Sequence, residues 1–284
     1  MRQKLRFFIL ASCLETSIGW ADLPLMIQEL LIQDHVVRFH VGLNYGNQTR
    51  RDVFSLQNQD EFSARIGIRY GLTPTTKIFG RITGSHRENR LVAAASSTGV
   101  SATKFNTVVL GIKHGFSPDT ETPALLGYIE ASVIESTRSS NADSSAEDHF
   151  VYGRTWGSGL TTYRSFDPVV LSLSVGYDHS QARPLLHNGN HITFDPGDGL
   201  YLQPALNFAI NDNISVSSGF QVTYNGKNKI DSEPTGISFT RTKATFGIGF
   251  APDEKTAMFF NLSADVSGDA GASIGFHITH DITL

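Results

Sequence analysis

From residue 35 onward the chain alternates apolar and polar residues at period two, in segments of about ten to fourteen residues. In 35–46, Val37, Phe39, Val41, Leu43 and Tyr45 take one parity, and Arg38, His40, Gly42 and Asn44 the other. In 213–225, Ile214, Val216, Phe220, Val222 and Tyr224 alternate with Ser215, Ser217, Gly219, Gln221 and Thr223. Successive side chains of a strand point to opposite faces, so each segment predicts a strand with one apolar face. Further segments at 60–72, 76–86, 103–115, 123–134, 149–163, 168–178, 198–210, 239–251, 255–266 and 271–284 bring the number to twelve. The 149–163 segment carries two competing phases, with Phe150, Tyr152 and Trp156 against Val151 and Tyr163.

The length of the segments decides what the apolar row meets. Soluble strands run about five or six residues, whereas a tilted membrane strand needs about 9–11. The opposite row is rich in Gly, Ser, Thr, Asn and Gln, which suits a wet interior. Tyr45, Tyr70, Tyr177, Tyr224 and Phe250 stand near segment ends in the apolar row, where an interfacial aromatic girdle belongs. Connections also alternate. Those at 72–76, 116–123, 164–168, 211–213 and 251–255 are short, while long polar loops are expected at 47–59, 87–102, 135–148, 179–197 and 226–238, with a short exception at 267–270. Only Pro204 falls inside a segment, where it must forfeit a ladder bond or mark a bulge. The pattern predicts an all-β fold, a closed antiparallel transmembrane β-barrel of about twelve strands at 35–284. The segment at 271–284 pairs with 35–46, because lipid tolerates no open sheet edge. Such barrels lie in the bacterial outer membrane, and an even strand number puts both termini on the short-turn, periplasmic side.

The amino-terminal end adds two elements. Residues 1–21 have Arg2, Lys4 and Arg6, a short apolar run and small residues at Gly19 and Ala21, the layout of a secretory signal cut after Ala21. Cleavage at Cys13, as in a lipoprotein, is the variant of this reading. Cys13 is the only cysteine, so with the cut at Ala21 no disulfide or thiol chemistry is expected. Of the 23 basic and 27 acidic residues, three and one lie in the signal, so the remainder carries a net charge of −6 and no nucleic-acid partner is expected. In 22–34, Leu23, Met26, Ile27, Leu30 and Leu31 form a helical stripe with Pro24 in its first turn. A short helix there is suited to plugging the pore, to pairing with copies of itself in a homo-oligomer, or to resting on the rim.

Candidate chemistry lies in the inward row. Arg38, Arg65, Arg69, Lys77, Arg81, Lys113, Arg241 and Lys243 face Glu130, Asp265 and Asp281. The excess of basic groups predicts a preference for anionic solutes, or a basic seat for a plug that carries Asp22, Glu29 and Asp34. Ion pairs that satisfy one another inside the lumen are the plain alternative. The stretch 177–181 sets His179 beside Ser180, as a lipase would need, but neighbours on a strand point to opposite faces. His187 and His191 stand four apart in a loop rather than on a helix. No catalytic residue, metal or cofactor is expected. The polar loop at 135–148 also suits an adhesive barrel with a sealed lumen.

The stretches YGLTPTTKIFGRI (70–82), TTYRSFDPVVLSLSVGY (161–177) and DPGDGLYLQPALNFAINDNISVSSGFQ (195–221) resemble a family of outer-membrane transporters associated with the phenol-degradation meta-cleavage pathway. More remotely the chain is similar to the barrels that export functional-amyloid subunits. The resemblance covers most of 35–284 and implies a passive channel of about twelve strands for small solutes, aromatic ones included, with outer-membrane lipid around it. It carries over no catalytic residue. A sealed adhesive barrel and an export component remain the alternatives.

Overall fold

The computed structural model describes residues 25–28, 34–51, 55–93, 96–140, 146–151, 155–187, 190–235, 237–267 and 270–283. The signal at 1–21, most of the helical stretch 22–34 and Leu284 lie outside the described residues.

After a single helical turn, α1 (Leu25–Gln28), the chain enters β1 (Val36–Arg51), β2 (Ser55–Gly71), β3 (Thr76–Ala93) and β4 (Ser96–Ser117). Then come β5 (Ala124–Ser140), β6 (Ala146–Val151), β7 (Thr155–Phe166) and β8 (Val169–Ser180). A hairpin, β9 (Arg183–His187) and β10 (Asn190–Asp195), precedes β11 (Gly199–Asn211) and β12 (Ile214–Asn225). A second hairpin, β13 (Asn228–Ile230) and β14 (Glu233–Thr235), leads to β15 (Phe239–Phe250), β16 (Thr256–Asp265) and β17 (Ala270–Thr283).

Among the described residues the barrel has twelve antiparallel staves, because β6 and β7 both pair with β5 and together form one. The circuit runs β1, β2, β3, β4, β5, β6/β7, β8, β11, β12, β15, β16, β17 and closes from Val36↔Thr283 to Thr49↔Ala270. Arg38 reinforces that seam: its Nε and Nη2 donate to the two carboxylate oxygens of Asp281, each at 2.6 Å. Pro204 forfeits its place in the β11–β12 ladder without shifting the register, which is Leu202↔Val222 before it and Ala205↔Gly219 after it.

The outward row is apolar and exposed. Ile66 is 59% exposed and Ile129 64%, and Phe39, Leu43, Leu160 and Phe220 are similar. A belt of that size cannot face water and is the lipid-contacting surface of a membrane barrel. The competing phases at 149–163 resolve with Trp156 outward and Tyr163 buried inside. At the short-turn end, side chains cap the turns. Thr73 Oγ1 accepts from the Thr76 amide, Asn211 Oδ1 from the Asn213 amide, and Asp253 Oδ1 from those of Lys255 and Thr256.

At the other end the strands outrun the apolar pattern, which corrects the expected loops. Residues 47–59 and 87–102 are mostly ladder, reaching Arg51↔Leu56 and Ala93↔Ser96. Backbone bonds hold a hairpin together in water as well as in lipid. An apolar row therefore marks only the lipid-facing part, while polar pairs such as Asn47–Asp60 and Arg87–Glu61 line the rest. The expected loops 179–197 and 226–238 contain the two hairpins. The second turns on Asp231 and Ser232, both left-handed at φ 50° and 72°, as a primed hairpin turn requires.

These hairpins continue the barrel's own ladders: β9–β10 keeps the register of β8–β11, with Arg183↔Phe194 after Asp178↔Gly199, and β10–β13 keeps that of β11–β12, with Phe194↔Ile230 after Gly199↔Asn225. Ser140 pairs with Ala146 of β6 and also, in parallel, with His187 of β9. β9 pairs with β10, β10 with β13 and β13 with β14. The wall formed by β8, β11 and β12 is thereby lengthened at the long-loop end, and β9 also reaches the end of β5. An ion pair fixes it: Arg183 Nη1 donates to Glu135 Oε2 at 3.1 Å, with Glu135 buried and Arg183 nearly so.

Candidate functional site in the lumen

The inward row follows from parity once the outward row is apolar. Much of it is small and polar, and cross-strand hydroxyl pairs such as Thr161–Ser174 and Ser263–Ser273 satisfy each other at 2.9 and 2.8 Å. Where the side chains are larger they enclose a cavity of about 890 Å3. Its wall includes five basic residues, Arg65, Arg69, Lys77, Arg81 and Lys113, and two carboxylates, Glu130 and Asp178. With the histidines neutral, that leaves an excess of three positive charges.

The charges are sorted across the wall by register. One row reads Arg69, Phe79, Gly111, Glu130, Gly157, Asp178 over β2, β3, β4, β5, β7 and β8. It runs from cation to anion. The next row reads Lys77, Lys113, Tyr128, Gly159, Gly176, Tyr201 over β3, β4, β5, β7, β8 and β11. Lys77 and Lys113 are direct cross-strand neighbours, and Lys77 is only 7% exposed, so two like charges stand together in the wall. Arg81 grips Glu130 with both terminal nitrogens, at 2.8 and 2.5 Å. On β1 and β17, His40 and His277 add a polar edge, their rings 5.1 Å apart, and His277 stacks on Phe259 at 4.5 Å.

The basic residues expected in the lumen divide into two groups. Arg65, Arg69, Lys77, Arg81 and Lys113 share the cavity with Glu130. Arg38, Arg241 and Lys243 are not among its lining residues. Arg38 is engaged with Asp281 at the seam, and Arg241 Nη2 donates to Asp265 Oδ2 at 2.6 Å. Lys243 is the cross-strand neighbour of Asp265. The sequence reading missed Asp178, Phe79, Tyr128 and Tyr201. Their signal was bulky or charged residues in the small-residue row, opposite glycines that are visible only once the register is known.

The short-turn end of the lumen is apolar. Ile27 of α1 is 2% exposed and packs with Ala124, Leu126, Tyr163 and Val170 of β5, β7 and β8. Leu25 is 6% exposed and packs with Phe259, and with Ala251 just past β15. Two side chains of one turn thus reach different sides of the mouth. For these described residues the seat is apolar, not the basic one expected for a plug. The acids that suggested a basic seat are Asp22 and Glu29, outside the described residues, and Asp34, at the approach to β1.

Near the long-loop rim, His179 Nδ1 lies 2.8 Å from Asp198 Oδ1, and the Tyr177 hydroxyl donates to Asp198 Oδ2 at 2.6 Å. Partial burial pushes the Asp198 carboxyl up, but these hydrogen bonds and the nearby histidine outweigh it and hold the group below its usual range. His179 is thereby engaged on the outward face, and Ser180 follows on the opposite one. Among the described residues no group of three or more histidines, cysteines and acids is placed to hold a metal ion.

No protein-family model matches the chain, and no curated protein matches it. Solved structures do. The COG4313 outer membrane channel from Pseudomonas putida F1 aligns with a TM-score of 0.64 at 10% identity, covering 88% of this chain and 97% of that one. The translocator domain of the autotransporter NalP from Neisseria meningitidis aligns at 0.55 and 12% identity, covering 95% and 97%. The transport unit of the autotransporter AIDA-I from Escherichia coli aligns at 0.54 and 9% identity, covering 87% and 90%. At such identities the likeness establishes the fold, an outer-membrane-type barrel, and nothing finer.

Proposed function

We propose that this protein is a channel of the bacterial outer membrane through which small solutes pass passively, anions in preference to cations. The observation that carries this reading is the cavity of about 890 Å3, with five basic side chains and two carboxylates on its wall. A low-dielectric wall focuses such a field on any ion inside. The short turns and both termini face the periplasm, and the segment 22–34 is the periplasmic plug. Burial of Leu25 and Ile27 in the short-turn mouth supports that assignment. The site residues Arg65, Arg69, Lys77, Arg81, Lys113 and Glu130 set selectivity. Arg38, Arg241 and Lys243 act through the ion pairs and registers that hold the wall.

The test is conductance of the refolded protein in planar bilayers, with and without residues 22–34, under a salt gradient. The reversal potential should lie on the anion side, and the combined Arg65→Gln and Lys113→Gln change should move it toward zero. Cation selectivity would end the reading. The docked turn also fits a sealed barrel whose loops bind a partner; absence of conductance in the chain lacking 22–34 would favour that one.

A further inference from the structure

The cavity has a second chemical feature besides its charge. Phe79, Tyr128 and Tyr201 point inward, and each packs its ring against a glycine of the next strand. A Cβ at Gly159 would fall 2.5 Å from Tyr128 Cε1 and 3.0 Å from its Cζ. Gly111 meets Phe79 and Gly176 meets Tyr201 in the same way, through ring carbons. All three rings line the cavity, each occupying the space that a side chain at its glycine would take. Gly159 and Gly176 are direct cross-strand partners, and the two tyrosine hydroxyls bond each other above them at 2.8 Å. The two rings make one continuous shelf from β5 to β11. That bond fixes the two rings relative to one another and leaves one hydroxyl proton for a further acceptor.

The shelf begins where the cations end. Lys113 is the cross-strand neighbour of Tyr128, with Lys77 beyond it, and Arg69 adjoins Phe79. Glu130 and Asp178 lie at the far end of the adjoining row. We propose that this cavity is a binding site for small aromatic carboxylates, the carboxylate held at Lys77, Lys113 and Arg69 and the ring stacked on the Tyr128–Tyr201 shelf. The inference rests on the anion-channel reading and names its solute class. An inorganic anion would make no use of the aromatic side chains, and a neutral arene would make no use of the excess of basic over acidic side chains on the wall. Arginine and lysine take a carboxylate, and stacked or tilted ring pairs add to it. At the other side Glu130 is taken up by Arg81 and Asp178 is acidic, so the charged end is favoured on the side of Lys77, Lys113 and Arg69.

Titration calorimetry of the refolded chain in detergent, with empty micelles subtracted, compares benzoate, cyclohexanecarboxylate and acetate. Benzoate should bind at least about threefold more tightly than cyclohexanecarboxylate, the gain of a stacked ring pair. Acetate should bind weakest. Tyr201→Leu should erase the preference for benzoate, and the outward Tyr224→Leu should keep it. Equal binding of benzoate and cyclohexanecarboxylate by the unaltered chain would overturn the proposal, whatever the variants do. If the bilayer reversal potential still lies on the anion side in that event, the channel reading stands without it. Cation selectivity would remove both.

Discussion

Truncating the docked turn should open the short-turn mouth, and its burial gives the size of the effect. Ile27 and Leu25 are 2% and 6% exposed, packed on different sides of the mouth. Changing either to alanine removes three buried carbons at about 0.8 kcal/mol each, or about 2 kcal/mol of docking free energy. Each 1.4 kcal/mol is tenfold, so Ile27→Ala should raise the undocked-to-docked ratio about 30-fold and the double change about 1,000-fold. A reciprocal cut at the seat, Val170→Ala, removes two methyl groups and should raise it about tenfold. Single-channel recording at low voltage measures the ratio as the open fraction, with the chain lacking 22–34 as the fully open reference. The order should be wild type, Val170→Ala, Ile27→Ala, the double variant, then the deletion. If Ile27→Ala conducts like wild type while the deletion conducts more, burial of this turn is not what holds the plug. If the deletion itself changes nothing, the segment is no plug.

Three further outcomes rest on particular contacts. Arg183→Ala strands a buried Glu135 and should loosen the β9–β10 extension of the wall by about 3 kcal/mol, read as faster protease nicking of that hairpin; Glu135→Gln with Arg183→Gln should nick more slowly than the single variant. Gly176→Ala drives a methyl into the Tyr201 ring and should lower the barrel's unfolding free energy by about 1–3 kcal/mol, read as its heat-modified shift on gels; an unchanged transition would refute the stacked geometry. Backbone amides, Lys255's foremost, hold the Asp253 carboxyl below its usual 3.8. A depressed group stabilises above its unfolded pKa and loses that contribution as pH falls through the folded one. The protection factor of the Thr256 amide, its exchange taken relative to the intrinsic rate at each pH, should therefore fall below about pH 4 in wild type, and Asp253→Asn should flatten that pH dependence.

The barrel was legible because lipid imposes a strict rule on every strand it touches. The stretch 35–46 shows five apolar residues on one parity, and no soluble neighbour relaxes the requirement. Where lipid ends, the rule ends. The polar ladders beyond Gly46 and His86, and the hairpins at 183–195 and 228–235, carry only backbone bonds and local ion pairs, which write no period into the sequence. The lumen was half legible for a related reason. Parity placed Arg65, Lys77 and Lys113 inside, but which of them meet depends on register across strands. Tyr128 over Gly159 is a contact between residues 31 apart, and no local pattern announces it. The apolar seat escaped notice because Leu126, Val170 and Phe259 sit in different segments, each a lone apolar residue in a polar row.

The seam between β1 and β17 joins residues more than 200 positions apart, and it is what turns a ribbon into a ring. Contacts of such long range are the slowest to form, because the whole intervening chain must be ordered or tethered first. Until Arg38 meets Asp281, the growing structure has two sticky margins and an oily flank. Biogenesis therefore has a vulnerable interval, and whatever escorts this polypeptide to its membrane must shield both margins through to that final stitch.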